Sequence, residues 1–305
     1  MAITLPTDGQ FVYEGSALAS PSAGQSAWGP RLDQIAAGGF QLVLNYGLLF
    51  GNITQITSYI NYAASKGLKV IVAIHNAVIW DTVAYPTSSA LASEYPTIYA
   101  ASGSPTSNWD SVFTSYVVNQ LKGLAGVWGW YIGDEVVSSQ HATMLNHAGF
   151  VQSADSTHPR MIIIQGNSVN SVASGTNVFY DCCEVLGDDY YPLAGTYTRT
   201  TAQQAAAIQT FCTQKNISSA MVLQAYSSSQ FGNPLGQFPT EAQMQTYRND
   251  ALTNMTPRVL GWFSYYNVVD LTTAPALQWF YLQHAAQGKS GIAMFPNAVR
   301  RGYRR

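Results

Sequence analysis

VWGWYIGDE, residues 127–135, is the stretch whose reading decides the fold: it opens on valine and aromatic side chains, carries no cation, and closes on two adjacent carboxylates. A short apolar run bounded in this way suits a strand buried on both faces, as in a parallel sheet. The two acids then stand where the strand ends. Comparable runs lie outward from it on both sides, at 11–16 (FVYEGS), 41–47 (QLVLNYG), 68–76 (LKVIVAIHN), 160–166 (RMIIIQG), 183–191 (CEVLGDDYY), 220–227 (AMVLQAYS) and 258–266 (RVLGWFSYY). Helical spacing fills much of the intervening chain, at 53–66, 109–122, 139–154, 201–214, 240–254 and 275–287. Thr240 and Gln243 have the spacing of a capping box. The fifth unit is the exception, since 167–182 is rich in Asn, Ser and Gly and holds at most a short helix.

Eight strands alternating with helices predict a closed (β/α)8 TIM barrel, of the α/β class, as one domain over residues 1–305. An open dinucleotide-binding sheet is disfavoured because no G-x-G-x-x-G follows the first strand. The long connection at about 76–108 is expected to be an excursion on the face where barrels do chemistry, and the basic end, about 296–305, a solvated tail.

Charge narrows the function. Only 10% of the 305 residues are charged and the formal net charge is −2, which gives no field for nucleic acid or anionic lipid. No run of about 18 apolar residues is present to span a bilayer, and the start of the chain does not read as a signal peptide. Low charge and loops rich in Ser, Thr, Asn and Gln lean towards an extracytoplasmic or secreted protein. Three cysteines, Cys182, Cys183 and Cys212, allow either one bridge from Cys212 to one of the other two or three buried thiols.

Polar and aromatic residues collect at the strand ends, and in a barrel these ends share one rim. Strict alternation along 127–135 puts Trp128, Trp130 and Ile132 towards helices and Gly129, Tyr131, Gly133 and Glu135 towards the axis, with Asp134 capping or holding Glu135. In the sixth strand the same rule sends Asp189 and Tyr191 inward and Asp188 outward. Two carboxyl groups across a barrel mouth are the equipment of glycosidic cleavage, one giving a proton to the leaving oxygen while the other attacks or activates water. Glu135 and Asp189 are therefore the expected catalytic pair. Asp134, Asp188, Tyr46, His75, Asn76, Trp80, Tyr191, Gln224, Tyr226 and Trp262 are expected to bind a carbohydrate substrate, the aromatics by stacking on sugar rings. No cofactor and no metal are expected: of the histidines only His75 falls at a strand end, and no H-x-H or H-E-x-x-H occurs. Oligomeric state cannot be read from the chain.

VWGWYIGDEV, CEVLGDDYYPL, MVLQAYSSSQFG with PTEAQMQTYRNDAL, and RVLGWFSYYN together resemble the later strands of (β/α)8 glycoside hydrolases of the large clan with its acid/base glutamate on strand four. The resemblance covers roughly 127–266. It implies that Glu135 is the proton donor, puts Asp189 and Tyr191 at the matched positions of strand six, and matches Trp262 to the strand-eight tryptophan. Two departures stand out. Asp134 replaces the usual asparagine, and Gln224 stands where the clan carries its nucleophilic glutamate, so the partner acid is Asp189, Glu14 or Asp188, or else the barrel binds sugar without cleaving it.

Overall fold

The computed structural model describes residues 9–14, 19–74, 87–193, 197–225, 239–256 and 258–263. Among these, eight parallel strands close a barrel in chain order: β1 (Gln10–Glu14), β2 (Leu42–Asn45), β3 (Lys69–Ala73), β4 (Val127–Asp134), β5 (Arg160–Gln165), β6 (Val185–Tyr190), β7 (Ser218–Gln224) and β8 (Arg258–Phe263). Closure is made by β1 on β8, with Phe11 beside Gly261 and Val12 beside Trp262. The described helices are α1 (Gln25–Ala37), α2 (Ile53–Ser65), α3 (Ser88–Glu94), α4 (Pro96–Ala101), α5 (Trp109–Leu121), α6 (His141–Ala154), α7 (Thr201–Lys215) and α8 (Glu241–Asn254). The last expected helix, 275–287, lies outside the described residues.

Period-two alternation sorts the strands into two hydrophobic layers. Phe11, Tyr13, Leu42, Leu44, Ile71, Tyr131, Met161, Ile163, Val185, Val222 and Val259 fill the barrel, whereas Val12, Val43, Val72, Trp130, Ile164, Leu186, Leu223 and Trp262 meet the helices. Large and small residues must alternate around so narrow an interior. Gly261 is an instance: a Cβ there would come within 2.4 Å of the Phe11 ring.

Helix α1 was not expected from the sequence. Gly29 and Pro30 interrupt it as a turn signal would, yet Pro30 sits inside the helix and Trp28, Leu32 and Ile35 are buried. Capping boxes start α2 (Asn52 with Gln55), α7 (Thr200 with Gln203) and α8 (Thr240 with Gln243). The described end of the long excursion carries α3 and α4. In the fifth unit two short 3-10 turns, Val172–Ser174 and Phe179–Asp181, stand in for a helix. All three cysteines are buried free thiols, so the bridge considered from the sequence is not formed.

Candidate active site

Strand β4 departs from the alternation assumed for it. Against β3, Val70 pairs with Val127 but Ile71 with Gly129; against β5, Met161 pairs with Tyr131 but Ile162 with Gly133. Each shift is a bulge, one extra residue on β4, and each re-aims the side chains beyond it. Trp128 consequently packs against the barrel interior rather than the helices. A Cβ on Gly133 would meet Met144 and Ile162, in the outer layer. Asp134 then turns inward, where Tyr131 donates to its Oδ1 at 2.7 Å and Tyr46 to its Oδ2 at 3.0 Å. The Tyr13 and Tyr131 hydroxyls are 3.3 Å apart. Burial, with the nearby aspartate charges, raises all three tyrosines well above the ordinary phenol pKa, so they remain hydrogen-bond donors.

Glu135 follows at φ +47°, in the left-handed region that a branched or long side chain seldom occupies. Its amide is held by the Ile163 carbonyl at 2.9 Å. The half-buried side chain reaches the Asp189 carboxyl group of β6. Burial first, then the charges of Glu135 and Asp134, push Asp189 well above the usual carboxylate range, against a lowering by the Tyr191 hydroxyl. Two carboxyl groups in contact are favourable only when they share a proton. Asp189 Oδ1 is buried and meets no hydrogen-bond donor among the described residues.

The β6 alternation runs without a bulge, as the sequence suggests, so Asp189 and Tyr191 face the interior. Gly166 allows β5 to close on this strand: a Cβ there would lie 2.0 Å from the Asp189 carbonyl oxygen. Tyr191 stacks on Phe263 at 5.7 Å and 30°, and Tyr13 meets Phe263 edge-on at 5.2 Å. Asp134, Glu135, Asp189, Tyr46, Tyr191 and Phe263 thus share the C-terminal mouth. Phe263 was missed in the sequence; it could have been found by carrying the inward parity of Val259 and Gly261 two residues further.

Several expected site residues lie elsewhere. Trp262, fully buried in the outer layer, bonds Gln10 Oε1 through its indole nitrogen at 3.3 Å. Asp188 points away from the lumen and accepts from the Ser171 hydroxyl, the amides of Val172 (2.7 Å) and Ala173 (2.9 Å) and the Gln204 amide (3.1 Å). It therefore caps the 3-10 turn of the fifth unit. Burial raises it to about 6, opposed by the Ser171 hydroxyl, the Ala173 and Val172 amides and the Arg199 charge. Glu14, considered as a partner acid, forms a buried two-pronged ion pair with Arg31 of α1 at 2.9 and 3.0 Å. Gln224 is buried and accepts from the Leu193 amide at 2.9 Å. His75, Asn76, Trp80 and Tyr226 lie outside the described residues.

Among the described residues, the one grouping with ligand-like spacing is His141, Asp181 and Cys182. His141 Nε2 lies 2.8 Å from Asp181 Oδ1 and the Cys182 thiol donates to the same carboxylate oxygen at 3.3 Å, two hydrogen-bonding contacts that account for the arrangement.

No protein-family model and no curated protein matches the chain. Solved structures do. An endoglucanase, Cel5A of Pseudomonas stutzeri, is similar with a TM-score of 0.56 at 11% identity, over 95% of this chain and 97% of that one. A β-galacturonidase of Eisenbergiella tayi scores 0.60 at 10% identity, over 95% of this chain and 52% of that one. A β-D-glucuronidase of Dictyoglomus thermophilum scores 0.55 at 13% identity, over 86% and 44%. The chain thus spans about half of either uronidase. At such identities the likeness is one of fold.

Proposed function

We propose that the protein is a glycoside hydrolase whose proton-transferring groups are Glu135 and Asp189. The observation that carries the reading is the contact of these two carboxyl groups at the barrel mouth, next to the stacked pair Tyr191 and Phe263. A proton held between them is available to a glycosidic oxygen, and the member left ionised serves as base or nucleophile. Asp134, fixed by two tyrosine hydroxyls, supplies a second negative charge for an oxocarbenium-like transition state. Retaining glycosidases hold their carboxyl groups about 5–5.5 Å apart and inverting ones about 6.5–9.5 Å. The separation of the pair with a substrate bound therefore decides between the two stereochemical outcomes. The endoglucanase and uronidase neighbours support a carbohydrate substrate without agreeing on the sugar.

Gln224 favours a second reading, a barrel that binds sugar without turnover. A carboxamide cannot form a glycosyl ester, and its oxygen already holds the Leu193 amide. A screen of polysaccharides and aryl glycosides with wild type, Glu135→Gln and Asp189→Asn separates the two. Hydrolysis by wild type with kcat reduced about 100-fold or more in each variant is expected. Equal turnover in all three would remove the assignment. Sugar affinity with no hydrolysis by any form would favour the binding barrel.

A further inference from the structure

The distribution of cations around the mouth bears on which sugars it admits, an inference that rests on the glycosidase reading above. In a parallel barrel, every segment leaving the C-terminal end of a strand emerges on the same face. Among the described residues that follow β1 to β7, at 19–24, 46–52, 74, 87–108, 135–140, 166–184, 191–193, 197–200, 225 and 239–240, the one Lys or Arg is Arg199. Arg199 is exposed, its carbonyl accepts the Tyr190 hydroxyl, and its charge acts on Asp188, all on the side of β6 turned away from the lumen.

The lumen side holds the opposite charge. Asp134, Glu135 and Asp189 converge there, and a proton shared by two of them still leaves the group anionic. A carboxylate or sulfate on the bound sugar would lose its water beside these acids, with no guanidinium or ammonium turned to the lumen among the described strand-end residues. An uncharged sugar suits the same surface: its hydroxyls donate to carboxylate oxygens such as the buried Asp189 Oδ1, and its C–H face lies against Tyr191 and Phe263.

We infer that the site takes glycans whose sugar at the cleavage point bears no acidic group, and rejects uronides and sulfated sugars. The test uses matched aryl glycosides, glucoside against glucuronide and galactoside against galacturonide in both anomers, at pH 7.5 where an ordinary histidine is neutral. Affinity electrophoresis in gels of neutral glucan or mannan, and of alginate or pectate, runs alongside. The expected result is a kcat/KM about 100-fold or more in favour of the neutral member, and retardation by neutral polysaccharide alone. Added salt should leave neutral turnover unchanged and raise any residual uronide rate by screening repulsion. A uronide cleaved or bound as well as its neutral partner, or a uronide rate that falls with salt, overturns the inference while leaving the hydrolase reading intact. Neutral binding without cleavage of any glycoside sustains the inference and removes the hydrolase. No binding and no cleavage overturns both.

Discussion

Two acidic residues, Glu135 at the mouth and Asp188 outside it, bear on stability in different ways. Glu135 occupies a left-handed backbone conformation beside another carboxyl group, and such strain costs on the order of 1–3 kcal/mol. Glu135→Gly should therefore raise stability, by about 0.5–1 kcal/mol in urea unfolding, while hydrolysis is lost; a fall in stability would mean that the residue is held for packing. Asp188, raised to about 6 by burial, keeps its proton in the folded chain at a pH where the unfolded chain has released it. Its contribution is full below about pH 4 and is lost as pH rises through 6, at most on the order of 3 kcal/mol. Asp189 is shifted in the same direction. Asp155 opposes them: burial raises it, but the Thr157 hydroxyl and amide, His158 and Trp130 bring it down to about 2, so its contribution fades as pH falls below 4 towards 2. The expected outcome is that stability of wild type relative to Asp188→Asn falls between pH 4.5 and 7, read as denaturant midpoints; a flat difference would refute the assignment. The opposite directions of Asp189 and Asp188 were legible in the sequence because β6 alternates without interruption, but the capping of a 3-10 turn by Asp188, expected to bind substrate, was not. The inward turn of Asp134 was not, because a bulge is visible only against the register of its neighbours.

At the scale of elements, the site depends on how β4, β5 and β6 are brought together. Two bulges let eight residues of β4 keep step with shorter runs of β3 and β5, and the second of them turns Asp134 inward to the tyrosines. Gly166 sets the other side. Any side chain there meets the Asp189 backbone, so Gly166→Ala should cost about 1–3 kcal/mol and move Asp189. The check is kcat measured with denaturant stability: activity should drop in folded protein, well below the melting range. Unchanged kcat in a folded variant would show that the close approach does not position the acid. Strand existence was legible from short apolar runs throughout. Helix α1 was hidden by its Gly-Pro pair, and its Arg31 was needed to see that Glu14 is committed to an ion pair rather than to the mouth.

At the scale of the whole molecule, closure of β1 on β8 makes the two ends of the described chain neighbours and gives all eight strand ends one rim. The barrel itself was readable from the repeat of strand and helix, as was the clustering of acids and aromatics on one face. Which aromatics line that face was not, because one residue of parity separates Trp262, sealed under helices, from Phe263, stacked on Tyr191. One further property follows from the buried thiols of Cys182, Cys183 and Cys212. With no covalent cross-link among the described residues, the architecture owes nothing to an oxidant. The same chain can close its barrel in a reducing cell interior or outside it, and its three buried thiols stay out of reach of thiol-alkylating reagents for as long as it remains closed.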